Sequence, residues 1–268
     1  VNIVVCVKQV PESRDVEMDP ETGNLKREGA AAVMNPFDLF ALEAGLQLKE
    51  RYGGTVTAIT MGPPQAEEVI REAYMMGADD GMILCDREFA GADTLATSFT
   101  LAQGIRHLQA VDLIICGLQT TDGDTAQVGP GIAEFLDIPH ETSIQKIHGM
   151  DEDGLRVEKD MGHVVMDLSL QLPTLISVAK GVNQPRLLSF RRKLQTRDWP
   201  ARYLERSDLD DHKEAFFGLD GSPTQVEAMF PPQPHTASER WQGSSQELAD
   251  RLVQLLVEEK FVQSGVDE

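Results

Sequence analysis

The sequence predicts an α/β protein: a doubly wound, mostly parallel sheet with an antiparallel extension, followed by an extended C-terminal arm that ends in a helix. Three observations lead there. Short, near-continuous apolar runs at 2–7, 54–60, 81–85 and 111–116 each precede a stretch with helical periodicity, as strands covered on both faces require. Residues 143–178 break that rhythm and read as three or four strands joined by "DEDG" and "DMG" turns, an antiparallel extension rather than another βα unit. Residues 218–243, rich in Gly, Pro and Ser, cannot build a core of their own and lead to one isolated amphipathic stretch.

The first helix, "DLFALEAGLQLKERY", carries Leu39, Leu42, Leu46 and Leu48; the second, "PQAEEVIREAYMM", opens on Pro64 and carries Val69, Ile70 and Ala73. The third, "DTLATSFTLAQGIRHL", has Asp93 or Thr94 as N-cap and Leu95, Phe99, Ala102 and Ile105 on its inner face, and a fourth is expected to start near Thr125. "VEMDPETGNLKREG" (16–29) reads as an inserted hairpin. "SSQELADRLVQLLVEEKF" offers a Ser244/Glu247 capping box ahead of Leu248, Leu252, Leu255 and Leu256, a helix suited to docking on a partner subunit. The expected organisation is a domain over 1–190 and an arm with terminal helix over 191–268.

A chain of 268 residues needs no staples to build a core. Its net charge of -20 argues against nucleic acid or an anionic membrane surface as partner. "NQPRLLSFRRKLQTR" is a basic exception, read as solvated surface or as contact with an acidic partner or phosphate. Cys6, Cys85 and Cys116 lie in apolar runs, as buried thiols in a reducing compartment do. The apolar part of the first residues is short for a signal peptide and lacks a basic leader. No window reaches the ~18 apolar residues of a membrane span. The expectation is a soluble, cytoplasmic protein that is not integral to a membrane.

In such a sheet ligands bind at the carboxyl ends of the strands. There the segment "GLQTTDGDTAQVGPGIAEFLD" leaves the amides of Thr125, Ala126, Gln127 and Val128 pointing into the crevice, with the helix dipole favouring an anion such as phosphate. Gly123 is expected to permit the tight turn, and Gly129 and Gly131 a close backbone approach. Asp122 and Asp124 suit either capping and Asx turns or binding of a ribose hydroxyl or amine edge; "DGD" lacks the further ligands of a calcium loop, so no metal site is expected. Other loops converge on the same crevice: Lys8 after the first strand, Asn35 and Asp38 in "MNPFD", Met61 in "MGPP", Gln119, and a second helix start at Asp93, Thr94 and Thr97. Two helix starts can hold two phosphates. Neither a Walker A motif nor GxGxxG is present, no Ser/His/Asp or Cys/His set is formed and no CxxC occurs, so no catalytic side chain is assigned; any redox chemistry must come from a bound cofactor.

"CVKQVP", "MNPFDLFALEAGLQLKE", "MGPPQAEEVIREAYMMGAD", "DLIICGLQTTDGDTAQVGPGIAEFLDIP" and "LPTLISVAKGVNQPR" occur in the order of the beta subunit of electron transfer flavoprotein, which the chain resembles over 1 to about 190. The resemblance implies an adenine nucleotide alpha hydrolase-like fold and an alpha-subunit partner carrying a redox-active FAD. Ordinary members hold AMP through backbone contacts that fall here on Cys6 and Met61 for the base and on Ala126, Gln127 and Val128 for the phosphate. Where they have Asn-Gln-Thr this chain has Ala126, Gln127 and Val128, so two polar side chains are missing while the amides remain.

"DGDTAQVGP" with "GADTLATS" is similar to the electron-bifurcating branch, in which FAD replaces AMP and Asp93, Thr94 and Thr97 would flank its diphosphate. That implies hydride transfer from NADH, with one electron passing to ferredoxin or flavodoxin. The other passes through the alpha-subunit FAD to an acyl-CoA or lactate dehydrogenase with a flavin. Residues 207–223 correspond roughly to the family's recognition loop, with Leu209, His212, Ala215 and Phe216 as the expected apolar contacts. The alternative within the family is an AMP-containing subunit serving a quinone oxidoreductase. A nucleotide sensor of the universal stress type shares the α/β layer but leaves the C-terminal arm unexplained.

Overall fold

The computed structural model describes residues 1–12, 32–108, 110–209, 216–227 and 239–262. The chain divides into two compact units, Val1–Ala228 and Met229–Glu268. In the first, β1 (Asn2–Cys6) runs into a short antiparallel pair, β2 (Gln9–Pro11) with β3 (Ala32–Met34), and then α1 (Pro36–Tyr52), β4 (Thr55–Met61), α2 (Glu67–Met76), β5 (Asp80–Leu84), α3 (Thr94–Arg106), β6 (Leu113–Gly117) and α4 (Val128–Leu136) follow. The chain continues through β7 (His140–Asp151), β8 (Gly154–Asp160), β9 (Val165–Leu170), β10 (Thr174–Val178), α5 (Phe190–Gln195) and β11 (Arg202–Leu204). The hairpin expected over 16–29 lies outside the described residues.

Among the described residues the main sheet has nine strands in the order β11-β5-β4-β1-β6-β10-β7-β8-β9, parallel from β11 to β7 and antiparallel from β7 to β9. Strand side chains alternate between two cores. Ile3, Val5, Ala58 and Ile115 pack with Leu42, Leu46, Ile70 and Tyr74 of α1 and α2. Val4, Ile59 and Ile114 pack with Phe99, Ile105 and Ile132 of α3 and α4. Burial on both faces is why these strands read as unbroken apolar runs. After β1 the chain builds outward through β4 and β5, then α3 crosses to the other face and β6 pairs on the opposite side of β1. The order therefore reverses at β1, and the loops after β1 and β6 diverge there to leave a crevice.

Two expectations are corrected. β10 is not part of the antiparallel extension: it lies between β6 and β7, parallel to both, with Thr174–Val178 buried throughout. The α4 crossover from β6 to β7 leaves that slot open, and "TLISV" has the continuous low polarity that a doubly covered position needs. α4 begins at Val128, not near Thr125, because Asp124 and Ala126 both have φ 55°, left-handed backbone that a right-handed helix cannot include. Past residue 190, β11 pairs with β5 within the first unit.

The basic segment is partly structural. Arg186 grips the buried Glu43 of α1, Nε to Oε2 at 2.7 Å, Nη2 to Oε1 at 3.1 Å and backbone N to Oε2 at 3.1 Å, and also reaches Glu50. Burial alone would raise the Glu43 carboxyl, but the hydrogen bonds from Arg186 and Gln47 hold it below its ordinary value. Arg192 donates to the carbonyls of Tyr74 and Ala78 at the end of α2. With these two cations turned inward, Leu187 (91% exposed), Phe190 (73%) and Leu194 (61%) are left facing outward.

In the second unit α6 (Ser245–Glu258) starts at the expected capping box: Ser244 N donates to Glu247 Oε2 at 2.8 Å and Glu247 N to Ser244 Oγ at 3.4 Å. Arg251 stacks on Trp241 at 4.4 Å and bonds Glu239, closing the turn before the helix. None of the α6 side chains is buried. Among the described residues no helix is long and apolar enough to cross a membrane.

Arg186→Ala leaves Glu43 as an uncompensated buried charge and is expected to lower stability by about 3 kcal/mol in chemical denaturation, with Glu43→Gln on the same background recovering part of the loss.

Candidate functional site

The crevice at the strand-order reversal has a volume of about 340 Å³, within the range of small-molecule sites. Its floor is the carboxyl ends of β1, β4 and β6, with Cys6, Met61, Cys116 and Gly117; its walls are the loop Leu118–Gly129 and the start of α3. Of the residues expected there, Cys6, Lys8, Asp38, Met61, Asp93, Thr94, Thr97, Gln119, Gly123, Thr125, Ala126, Gln127 and Val128 line it. Asn35, Asp122 and Asp124 are not among the lining residues.

The arrangement starts from a glycine. A Cβ on Gly117 would come within 2.4 Å of Asp38 Oδ1 and 2.8 Å of the Phe37 backbone, so only glycine lets the first turn of α1 abut the end of β6. Asp38 is thereby buried beneath the crevice, where Oδ2 accepts from the Lys8 amide at 2.8 Å and Oδ1 from Asn35 Nδ2 at 2.9 Å. Asn35 is fully buried, also donates to the Gln119 carbonyl at 2.9 Å and accepts from the Thr121 amide at 3.3 Å. Its side chain is thus committed to holding the turn after β6. Burial pushes the Asp38 carboxyl up to about 7, against the hydrogen bonds from Asn35 and from the Lys8 and Gly117 amides and the charge of Lys8.

Over this floor Lys8 Nζ reaches both Asp122 oxygens at 2.8 Å, tying the end of β1 to the loop after β6. Burial would raise Asp122, but Lys8 holds it below its ordinary value. Asp124 accepts from Gln119 Nε2. The turn does not rely on Gly123, whose φ is not left-handed; the left-handed positions are Asp124 and Ala126. With Gln127 back in the right-handed region, successive amides can face one concavity, a geometry that binds anions. Among the described residues no protein group accepts from the amides of Thr125, Ala126, Gln127, Val128 or Gly129. Gly131 serves packing rather than a ligand: its Cβ would lie 2.4 Å from Ser98 Oγ, where α3 and α4 touch.

At the opposite wall Asp93 caps α3, its Oδ1 accepting from Leu95 N at 2.9 Å and Ala96 N at 3.1 Å. Its Oδ2 accepts from the amide and hydroxyl of Thr224 at 3.0 and 2.7 Å. The carboxylate is therefore taken up by the protein. Thr94 Oγ1 donates to Gln127 Oε1 at 2.9 Å and links the two walls. The Cys116 thiol is raised well above its ordinary value by its hydrogen bond with Cys6 and by burial, which removes it as a nucleophile. What the crevice offers a ligand is the run of backbone amide donors from Thr125 to Gly129 beside the floor of Cys6, Met61 and Cys116.

Sequence reasoning passed over Gly117, whose signal was its place at the end of an apolar run, and over Ser222 and Thr224, for which no local signal exists. Leu209, expected as a partner contact, is 2% exposed and sits in the core with Phe89, Phe99 and Phe217. Phe216 stacks on Phe99 with centroids 5.1 Å apart, and His212 and Ala215 lie outside the described residues.

The family model described as "Electron transfer flavoprotein domain" matches residues 22–206. The chain is similar to the electron transfer flavoprotein subunit beta of Clostridium acetobutylicum, 43% identical over 263 residues that cover 97% of this chain and 100% of that protein. It is similar to the caffeyl-CoA reductase-Etf complex subunit CarD of Acetobacterium woodii, 42% identical over 97% of this chain and 99% of that one. Protein FixA of Azotobacter vinelandii is 42% identical over 87% of this chain and 85% of its own length.

Because its native carboxyl titrates near 7 and an unfolded one near 4, Asp38 holds a proton in the folded chain that the unfolded chain has lost. Its contribution is therefore fully present below about pH 4, declines as pH rises to about 7 and is level above. The full linkage is on the order of 4 kcal/mol. Urea denaturation across this range should show that slope in the wild type and lack it in Asp38→Asn.

Proposed function

Since the chain belongs to the electron transfer flavoprotein beta-subunit family, whose beta subunits pair with an alpha subunit, we propose that its crevice holds FAD and that the heterodimer bifurcates electrons. The observation that carries the nucleotide reading is the run of five amides from Thr125 to Gly129 with no acceptor among the described residues, bordering a crevice that a second helix start also borders. These amides hold a phosphate with the dipole of α4 behind them. Thr94 and Thr97 stand opposite and suit the second phosphate of a dinucleotide. The backbone at Cys6 and Met61 meets the adenine, and the apolar floor keeps water from it.

A bound FAD, held at the Thr125–Gly129 amides with Thr94 and Thr97 opposite, would supply hydride acceptance from NADH and single-electron transfer, toward ferredoxin or flavodoxin and, through the alpha-subunit FAD, toward a flavin dehydrogenase of acyl-CoA or lactate type. The chain's own residues bind and orient: Asp38 and Asn35 set the loop after β6, and Lys8 neutralises Asp122 beside the anion. The name of the CarD relative supports a CoA-ester reductase as the kind of partner. With Leu209 buried, the dehydrogenase contact is assigned to the exposed Leu187, Phe190 and Leu194 around α5, flanked by Arg191 and Lys193.

Nucleotides released from the purified heterodimer and quantified by chromatography should amount to two FAD for each pair. One FAD with one AMP overturns the dinucleotide and favours single-electron shuttling to a quinone oxidoreductase; one FAD with nothing else overturns the crevice site. Phe190→Asp should weaken capture of the dehydrogenase at least ~10-fold, as loss of a central apolar anchor does, with the nucleotide content unchanged.

A further inference from the structure

We propose that Asp93 is a positioning residue that ties the segment Phe216–Thr224 to the α3 wall of the crevice, and that filling the crevice with a phosphate-bearing nucleotide is transmitted along this tie. The inference rests on the nucleotide reading above. A helix cap needs one carboxylate oxygen, and Asp93 Oδ1 supplies it. The other oxygen takes both donors of Thr224, 131 positions further along the chain. In the same place the Asp93 amide donates to Ser222 Oγ at 2.8 Å, and that buried hydroxyl donates to the Gly218 carbonyl at 2.7 Å.

Apart from a turn at its start, the segment has no helix or strand of its own, so these bonds and its two phenylalanines hold it. Phe217 is buried against Phe89 and Phe99 with centroids 5.6 and 5.0 Å apart, and Arg206 covers its outer face at 4.4 Å. Gly218 has φ 54°, and a Cβ there would lie 2.1 Å from the Glu88 carbonyl, so the chain passes this close to the residues before α3 only as glycine. Burial alone would raise the Asp93 carboxyl; the bonds from Thr224, Ala96 and Leu95 hold it low, which keeps it an acceptor at neutral pH.

The connection to the ligand is contiguous. The amide-lined loop reaches α3 through Gln127 and Thr94, Thr94 follows Asp93, and Asp93 holds Thr224 and Ser222. A phosphate seated between the loop and Thr94 and Thr97 orders the start of α3. An ordered start presents Asp93 to Thr224 in a single geometry, so the segment tightens. By reciprocity, a segment cut loose must cost nucleotide affinity.

The heterodimer is prepared without the crevice nucleotide, then given FAD or, separately, AMP, and amide hydrogen exchange is followed over 216–224 alongside nucleotide affinity. In the wild type and in Thr224→Ser, which keeps the hydroxyl, added nucleotide should slow exchange in this segment about fivefold or more. In Thr224→Val, and in Asp93→Asn, which retains a competent cap but cannot accept from Thr224, that dependence should vanish and affinity should fall by a similar factor. A purely structural tie would raise exchange in the variants with nucleotide present or absent and leave their response to nucleotide intact; that result, or equal affinity in Thr224→Val and wild type, overturns the coupling. If neither FAD nor AMP binds the wild type, the crevice reading falls and the coupling with it.

Discussion

Three segments far apart in sequence meet on one buried carboxylate. The Lys8 amide after β1, Asn35 before α1 and the Gly117 amide at the end of β6 all donate to Asp38, and Asn35 passes the constraint on to Gln119 and Thr121. Remove the acceptor and the loops after β1 and β6 lose their common reference. The glycine at 117 is what permits this, since any side chain there would occupy the space of the carboxylate. Burial favours the protonated acid while the surrounding donors favour the carboxylate, and the balance falls near neutral pH. A group so placed trades stability for a fixed loop geometry, as residues at binding sites often do.

On the nucleotide reading proposed above, an acidic chain that binds an anion has to solve an electrostatic problem, and the crevice would solve it with dipoles rather than cations. Among the described residues, the one cation that lines it, Lys8, is already paired with Asp122. What remains is the backbone: amides from Thr125 to Gly129 and the start of α4, at the wall of the crevice. Such an array costs little ordering when the anion arrives, because rigid elements hold it. The left-handed turn at Ala126 concentrates the amides, at a conformational cost that a glycine would have avoided.

The cations of the basic segment have a different task. Arg186 and Arg192 reach inward to Glu43 and to the end of α2, seating the segment that leads into α5 and the short helix itself. The apolar side chains between them are consequently displayed, Leu187 most of all. A stretch with two of its cations turned inward and its hydrophobes facing outward has the composition of a contact surface for another protein.

By itself the sequence determined the alternation of strand and helix, the capping box at Ser244, the choice of Asp93 or Thr94 as cap of the third helix, and most of the loops that border the crevice. These are local properties: continuous apolarity marks a strand covered on both faces, periodicity marks a helix, and a cluster of small and polar residues marks a loop. Tertiary structure decided what local pattern cannot encode. "TLISV" is equally apolar whichever neighbours it pairs with, and its slot between β6 and β7 follows from the crossover that left the slot open. Leu209 and Phe190 are both apolar, yet one is buried and the other exposed, because burial depends on what packs above them. Asp38 titrates near neutrality and Asp93 spends its second oxygen on Thr224 for the same reason: a side chain's partners are set by the folded path of the whole chain and not by its neighbours in sequence.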